Sequence, residues 1–161
     1  MISYIFAVVT AVLVLIFDFV TKYYIMTNFS LYDTAPFLKG FIEINYIHNT
    51  GAAWGIFSGK TYLLIILTLM VMVLCIYFLI KNAKKSKLLF WAICLVLSGG
   101  LGNMYDRIFR DGKVIDFLHF EFWPSFPVFN VADCAIVVGA GFLILYFLID
   151  ILKEYWEKSR S

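Results

Sequence analysis

The chain has 161 residues, 63% of them hydrophobic and 15% charged, with a formal net charge of +2, and its mean hydropathy is +0.89. Soluble domains hold a roughly even apolar share, so this composition reads as an integral membrane protein. No block of basic residues is interleaved with aromatics, which excludes nucleic acid as a partner. Cys75, Cys94 and Cys134 form no C-x-x-C or Cys/His spacing, so neither disulfides nor a metal is indicated.

The first apolar run, Ile2 to Phe17, resembles a signal peptide in length. It lacks a basic leading region, and Asp18-Phe-Val-Thr-Lys22 replaces the small-residue cleavage site, so it reads as a retained helix. Further runs cover Tyr62 to Ile80, Leu88 to Met104 and Val128 to Ile149, each near the roughly 20 residues that cross a bilayer. The expected fold is therefore an all-α membrane protein, one domain over residues 1–161, with four transmembrane helices. Asp18 and Lys22 stand acid first at i and i+4, and read best as a salt bridge at the outer end of the first helix.

Residues 27 to 60 are too long for a tight turn, and Ile42, Ile44 and Tyr46 alternate with Glu43, Asn45 and Ile47 in strand fashion. A small outer-face β-sheet is expected there. It ends in Asn49-Thr-Gly-Ala-Ala-Trp-Gly55, where Gly51 permits close backbone approach and Trp54 suits the headgroup boundary. Residues 109 to 127 open with the turn signal Asp111-Gly112 and carry Phe117, Phe120, Phe122, Trp123 and Phe126, which reads as an interfacial loop. After Asp150 the polar tail reads as a frayed helix end.

Lys81, Lys84, Lys85 and Lys87 lie between helices two and three, and Lys153, Lys158 and Arg160 follow helix four. The basic-loop rule then puts both termini in the cytoplasm. Lys22, Lys39, Lys60, Arg107, Arg110 and Lys113 on the opposite side weaken the contrast, although several have acids nearby.

The chemistry-bearing residues are Asp116 and Asp133, both at the outer end of apolar sequence, where an ionised side chain costs roughly 2.5 to 3.5 kcal/mol unless paired or facing a cavity. Asn103, Asp106 and Arg107, at i, i+3 and i+4 on one helix face, precede the first, and Asn130 precedes the second. Gly99, one turn before Asn103, permits close helix approach. If the two acids meet, like-charge repulsion leaves one proton on the pair, so that one carboxylate activates water and the other protonates the substrate. The bland alternative has Asp116 capping a turn and Asp133 satisfied by Asn130. Arg107 suits a substrate carbonyl or phosphate as well as it suits neutralising Asp106. His48 and His119 have no nucleophile beside them and read as interfacial.

Four blocks now resemble the lipoprotein signal peptidase (signal peptidase II) family, in order and along the whole chain. They are Asp18-Phe-Val-Thr-Lys22, Asn49-Thr-Gly-Ala-Ala-Trp-Gly55, Gly102-Asn-Met-Tyr-Asp-Arg107 with Val114-Ile-Asp-Phe117, and Phe126-Pro-Val-Phe-Asn-Val-Ala-Asp133. The resemblance implies an aspartyl endopeptidase of the bacterial inner membrane, its active site toward the outer face. It would remove the signal peptide of prolipoproteins on the amino side of a diacylglyceryl-modified cysteine. The resemblance implies a catalytic pair of Asp116 and Asp133, site-lining Asn49, Asn103, Arg107 and Asn130, and supporting Asp18, Lys22, Gly51 and Asp106. It implies no cofactor, and as partners the prolipoprotein, membrane lipid and cyclic peptide inhibitors such as globomycin. The family commonly has Gln where Phe19 stands and Ser where Cys134 stands. A small transporter or proton relay is the competing reading, and a noncatalytic scaffold a third. The nearly featureless run from Tyr62 to Ile80 disfavours a relay, which needs polar groups at several depths.

Overall fold

A computed structural model describes residues 2–82 and 86–160, with side chains from Tyr4 onward. Lys84 and Lys85, used above for orientation, lie outside the described residues. Four helices run through it: α1 (Ile2–Asn28), α2 (Thr61–Asn82), α3 (Lys87–Phe109) and α4 (Val131–Lys158). All four are long and apolar enough to cross a membrane.

The central helix is α3, which packs against the other three, and its small residues explain why. A Cβ on Gly99 would lie 2.2 Å from the Ala132 carbonyl oxygen of α4, and one on Gly102 would lie 2.6 Å from Asp18 Oδ2 of α1. Lipid tails are as apolar as leucine, so helices in a bilayer associate through such close backbone approach and through polar contacts. By contrast α2 buries only Leu64 and Cys75, and its exposed Ile66, Met70, Val73 and Tyr77 suit lipid.

Strands β1 (Thr34–Leu38), β2 (Ile42–Asn49) and β3 (Val114–Phe120) form an antiparallel sheet in that order. It covers the end of the bundle where α1 and α3 finish and α2 and α4 begin. The sheet expected between the first two helices is there. Its third strand comes from the segment read as an interfacial loop, and the aromatic loop proper follows from Glu121. The burial pattern explains the misreading: Val114, Ile115, Asp116 and Phe117 are all buried, and a strand covered on both faces shows no alternation.

Helices α3 and α4 run on to Phe109 and Lys158, past the expected Met104 and Ile149, and two other boundary shifts bear on the site. Helix α1 runs eleven residues past Phe17 to Asn28, so Asp18 and Lys22 lie inside it rather than at its outer end. Helix α4 begins at Val131 with Asn130 as its N-cap, three residues after the expected Val128. Those intervening residues are extended, and Phe129 makes a single antiparallel bridge to Leu118. That bridge carries Asn130 to the side of Asp116.

Candidate active site

Strand pairing sets the first acid in place. Asp116 stands opposite Ile47 in the β2–β3 register. Asn49, two residues beyond Ile47, shares its strand face and donates from Nδ2 to Asp116 Oδ2 at 2.9 Å. Asn49 is itself fixed, because its Oδ1 accepts from the Gly51 amide at 2.8 Å. Gly51 has no room for a side chain: a Cβ there would come within 2.9 Å of the Gly55 and Ile56 backbone.

A helix cap sets the second. Asn130 Oδ1 accepts from the Asp133 amide at 2.9 Å, and Asp133 Oδ2 accepts from the Asn130 amide at 3.1 Å. This reciprocal capping box satisfies helix donors and favours negative charge at the N-terminus of α4. The same Asn130 donates from Nδ2 to Asp116 Oδ1 at 2.6 Å and toward Asn103 Oδ1 at 3.0 Å. One asparagine therefore holds the backbone of one acid and the carboxylate of the other. From α3, Asn103 Nδ2 donates to Asp133 Oδ1 at 2.7 Å.

All four carboxylate oxygens thus accept from neutral amide donors. Asp116 is 1% exposed. Burial raises its pKa from the ordinary carboxylate range to about 8, with the neighbouring Asp133 charge the next cause, against lowering by Asn49, Lys22 and Asn130.

Beside this pair lies a second polar centre. Lys22, 0% exposed, places Nζ 2.8 Å from both Asp18 Oδ2 and Asp106 Oδ2 and donates to Asn103 Oδ1 at 3.1 Å. Asp106 Oδ1 pairs with Arg110 Nε at 2.8 Å, and Asp18 Oδ1 accepts from the Ala132 amide of α4 at 2.9 Å. The i,i+4 pair read from the sequence exists, but as part of a buried network joining three helices. Asp106 pairs with Lys22 and Arg110 rather than with Arg107. Arg110 is absent from the sequence-level site, although its i+4 spacing from Asp106, acid first, is the signal that finds it.

Arg107 reaches toward the glycine-rich segment. Its terminal nitrogens donate to the Gly51 carbonyl at 3.0 Å and the Asn103 carbonyl at 3.4 Å, while its buried Nε has no hydrogen-bond partner. Trp54 Nε1 donates to the Ser125 carbonyl at 3.2 Å, and its ring meets Phe126 edge-on at 5.9 Å. The glycine-rich segment therefore touches the aromatic loop. Phe19 packs edge-on against Tyr105 at 4.7 Å, an apolar contact between α1 and α3. Cys134 is exposed. Neither histidine joins the pair: His48 bonds the Tyr46 hydroxyl at 2.8 Å, and His119 bonds Glu43 at 2.8 Å.

Four membrane-crossing helices with an acid pair at the end of the bundle define a multi-pass membrane protein with a concentrated polar site. A family model described as Signal peptidase (SPase) II matches residues 10–149. Lipoprotein signal peptidases from Bacillus pumilus and Enterococcus faecalis are 39% and 42% identical to this chain. The first match covers 90% of this chain and 94% of the relative, and the second covers 81% and 80%. A solved structure described as a bacterial membrane enzyme superposes with a TM-score of 0.85 at 38% identity, covering 90% of this chain and 88% of that one. The chain belongs to the lipoprotein signal peptidase (signal peptidase II) family.

Proposed function

We propose that this protein is the aspartic endopeptidase that removes signal peptides from bacterial prolipoproteins, cutting on the amino side of the diacylglyceryl-modified cysteine. The observation that carries the reading is Asn130, which ties the Asp116 carboxylate to the Asp133 cap so that a buried acid and a half-buried one share one site. Burial and the neighbouring Asp133 charge raise the Asp116 pKa to about 8, which supports a pair that holds one proton at neutral pH, with that proton on Asp116 in the proposed reaction.

In the proposed reaction Asp133, at the positive end of α4, serves as the carboxylate that takes a proton from water as the water oxygen attacks the scissile carbonyl carbon. Asp116 gives its proton to the carbonyl oxygen, and a gem-diol forms. Collapse then breaks the C–N bond. Asp133 passes its proton to the departing nitrogen, Asp116 recovers one from the gem-diol hydroxyl, and the pair returns to its starting state. Asn49, Asn103 and Asn130 hold the carboxylates in register, and Arg107, steadied by its two carbonyl bonds, is the cation offered to the substrate backbone. The site lies at the end of the helices, so acyl chains of the substrate stay in hydrocarbon while the peptide enters under the sheet and the aromatic loop. Localisation to the cytoplasmic membrane, with cytoplasmic termini and the site on the outer face, completes the proposal. Cyclic peptides such as globomycin would compete for the same cleft.

The test is mass spectrometry of a diacylglyceryl-cysteine prolipoprotein incubated with the purified protein and with folded Asp116→Asn and Asp133→Asn variants. Release of the signal peptide by the unaltered protein alone is the expected result. Cleavage surviving in either variant would sink the pair, and an uncut substrate with the unaltered protein would favour a transport role.

A further inference from the structure

A cavity of about 240 Å³ lies away from the acid pair, lined by Met26, Tyr46, His48, Arg110, Asp111, Lys113 and Ile115. His48 and Ile115 are direct partners in the β2–β3 register, one step from the Ile47–Asp116 partners, so they face the opposite side of the sheet from Asp116. The two sides of one strand pair therefore carry two different sites.

Three features give this cavity a ligand chemistry. Its lining cations are Arg110 and Lys113 and its lining carboxylate is Asp111; Arg110 is also paired through Nε with the buried Asp106, so Lys113 supplies the uncommitted charge. His48 adds no charge near neutral pH, since burial, then Lys113 and Arg110, lower its pKa. The basic wall is rigid: Asp111 and Gly112 both take positive φ, 53° and 79°, and the Gly112 and Lys113 amides donate to the Arg107 and Arg110 carbonyls, both at 3.0 Å. Arg110 is held from two sides, by Asp106 at 2.8 Å and by Met26 Sδ at 2.8 Å. Finally, Met26 belongs to the last turn of α1, and Arg110 directly follows the last residue of α3. The cavity thus stands where two membrane-crossing helices end, at headgroup depth, with Met26, Tyr46 and Ile115 as its apolar side. Basic pockets between helices at that depth suit lipid phosphates.

We propose that this cavity binds the headgroup of an anionic glycerophospholipid, its phosphate on Arg110 and Lys113 and a headgroup hydroxyl on Asp111. The site is separate from peptide cleavage and holds whether or not the proposed reaction does. Phosphate is the shared chemistry of such a lipid and the free anion; the apolar side and the depth favour the lipid.

Native mass spectrometry of the full-length protein in detergent, titrated separately with short-chain phosphatidylglycerol, short-chain phosphatidylcholine and inorganic phosphate, tests this. Phosphatidylglycerol is expected to bind in preference to both others. Lys113→Gln should weaken it about fivefold, the loss expected for one basic residue near an anionic lipid. Lys113→Arg should restore it, and Lys153→Gln, at the far end of α4, should leave it unchanged. The thermal midpoint without lipid, equal in all variants, separates lost binding from lost folding. Equal binding of the two lipids, or an undiminished Lys113→Gln, overturns the site. Inorganic phosphate binding as tightly as phosphatidylglycerol overturns the lipid assignment.

Discussion

Two buried polar centres share Asn103, yet they treat the same residue type in opposite ways. Around Lys22, Asp18 and Asp106 meet cations at 2.8 Å, so each negative charge is compensated. Around Asn130, Asp116 and Asp133 meet only amide donors, so their charge is solvated without being neutralised. A carboxylate opposite a lysine is a structural element, whereas one held by asparagines near a second acid keeps a proton to exchange. Asp18, Asp106 and Asp116 are all buried and Asp133 is half-buried, so the proposed division between scaffold and chemistry follows what faces the oxygens more than depth.

That contrast breaks most sharply at the acid pair. Asp116→Asn or Asp133→Asn is expected to lower cleavage by about a thousandfold or more, within the range removed with a general acid or base, while thermal unfolding stays close to the unaltered protein. Activity retained alongside lost stability would reverse the assignment of the two centres.

Lys22→Met is the matching change in the other centre. It leaves Asp18 and Asp106 buried without their shared cation, a loss expected to cost about 3–5 kcal/mol, seen as a lower unfolding midpoint and a reduced folded yield. Cleavage per folded molecule should fall far less than in the aspartate variants.

Asn103→Ala touches both centres, because Lys22 and Asp133 each lose a partner. About 1–3 kcal/mol of stability should go with it, and rate should fall as well. An unchanged rate would show that the centres are independent.

The pH profile sharpens the comparison further. The Asp116 pKa is raised, so its proton is present below about 8 and is lost as pH rises through that value. Cleavage should therefore fall above about pH 8, roughly tenfold per unit where one proton is required, as read from initial rates across pH. A flat alkaline limb would remove Asp116 as the proton holder. The smallest effect belongs to a charge pair outside both centres: Lys158→Ala, breaking the exposed contact to Glu154, should shift stability by no more than about 1 kcal/mol.

Much of this was legible in the residues. The four crossings follow from local hydropathy, and Gly99 marked the α3–α4 approach that a Cβ at 2.2 Å would block. The depth of α1 was misjudged because Asp18 and Lys22 look like a helix end when their distant partner Asp106 is unseen. Strand β3 read as a loop because its covered residues lack alternation. Arg110 was open to the same i+4 reading as Asp18 and Lys22, since its partner Asp106 stands one turn earlier, but Asp106 reads along the chain as the partner of its neighbour Arg107.

Local chemistry along the chain determined that the protein spans a membrane, where its helices run, and which acids were too costly to be idle. Hydropathy and helical spacing act over a few residues and need no fold to be read. Only the tertiary structure decided which acids were neutralised and which were left to titrate. That outcome rests on partners far apart in the chain, such as Lys22 with Asp106 and Asn49 with Asp116, which only the packing of α1, α3, α4 and the sheet brings within hydrogen-bond reach.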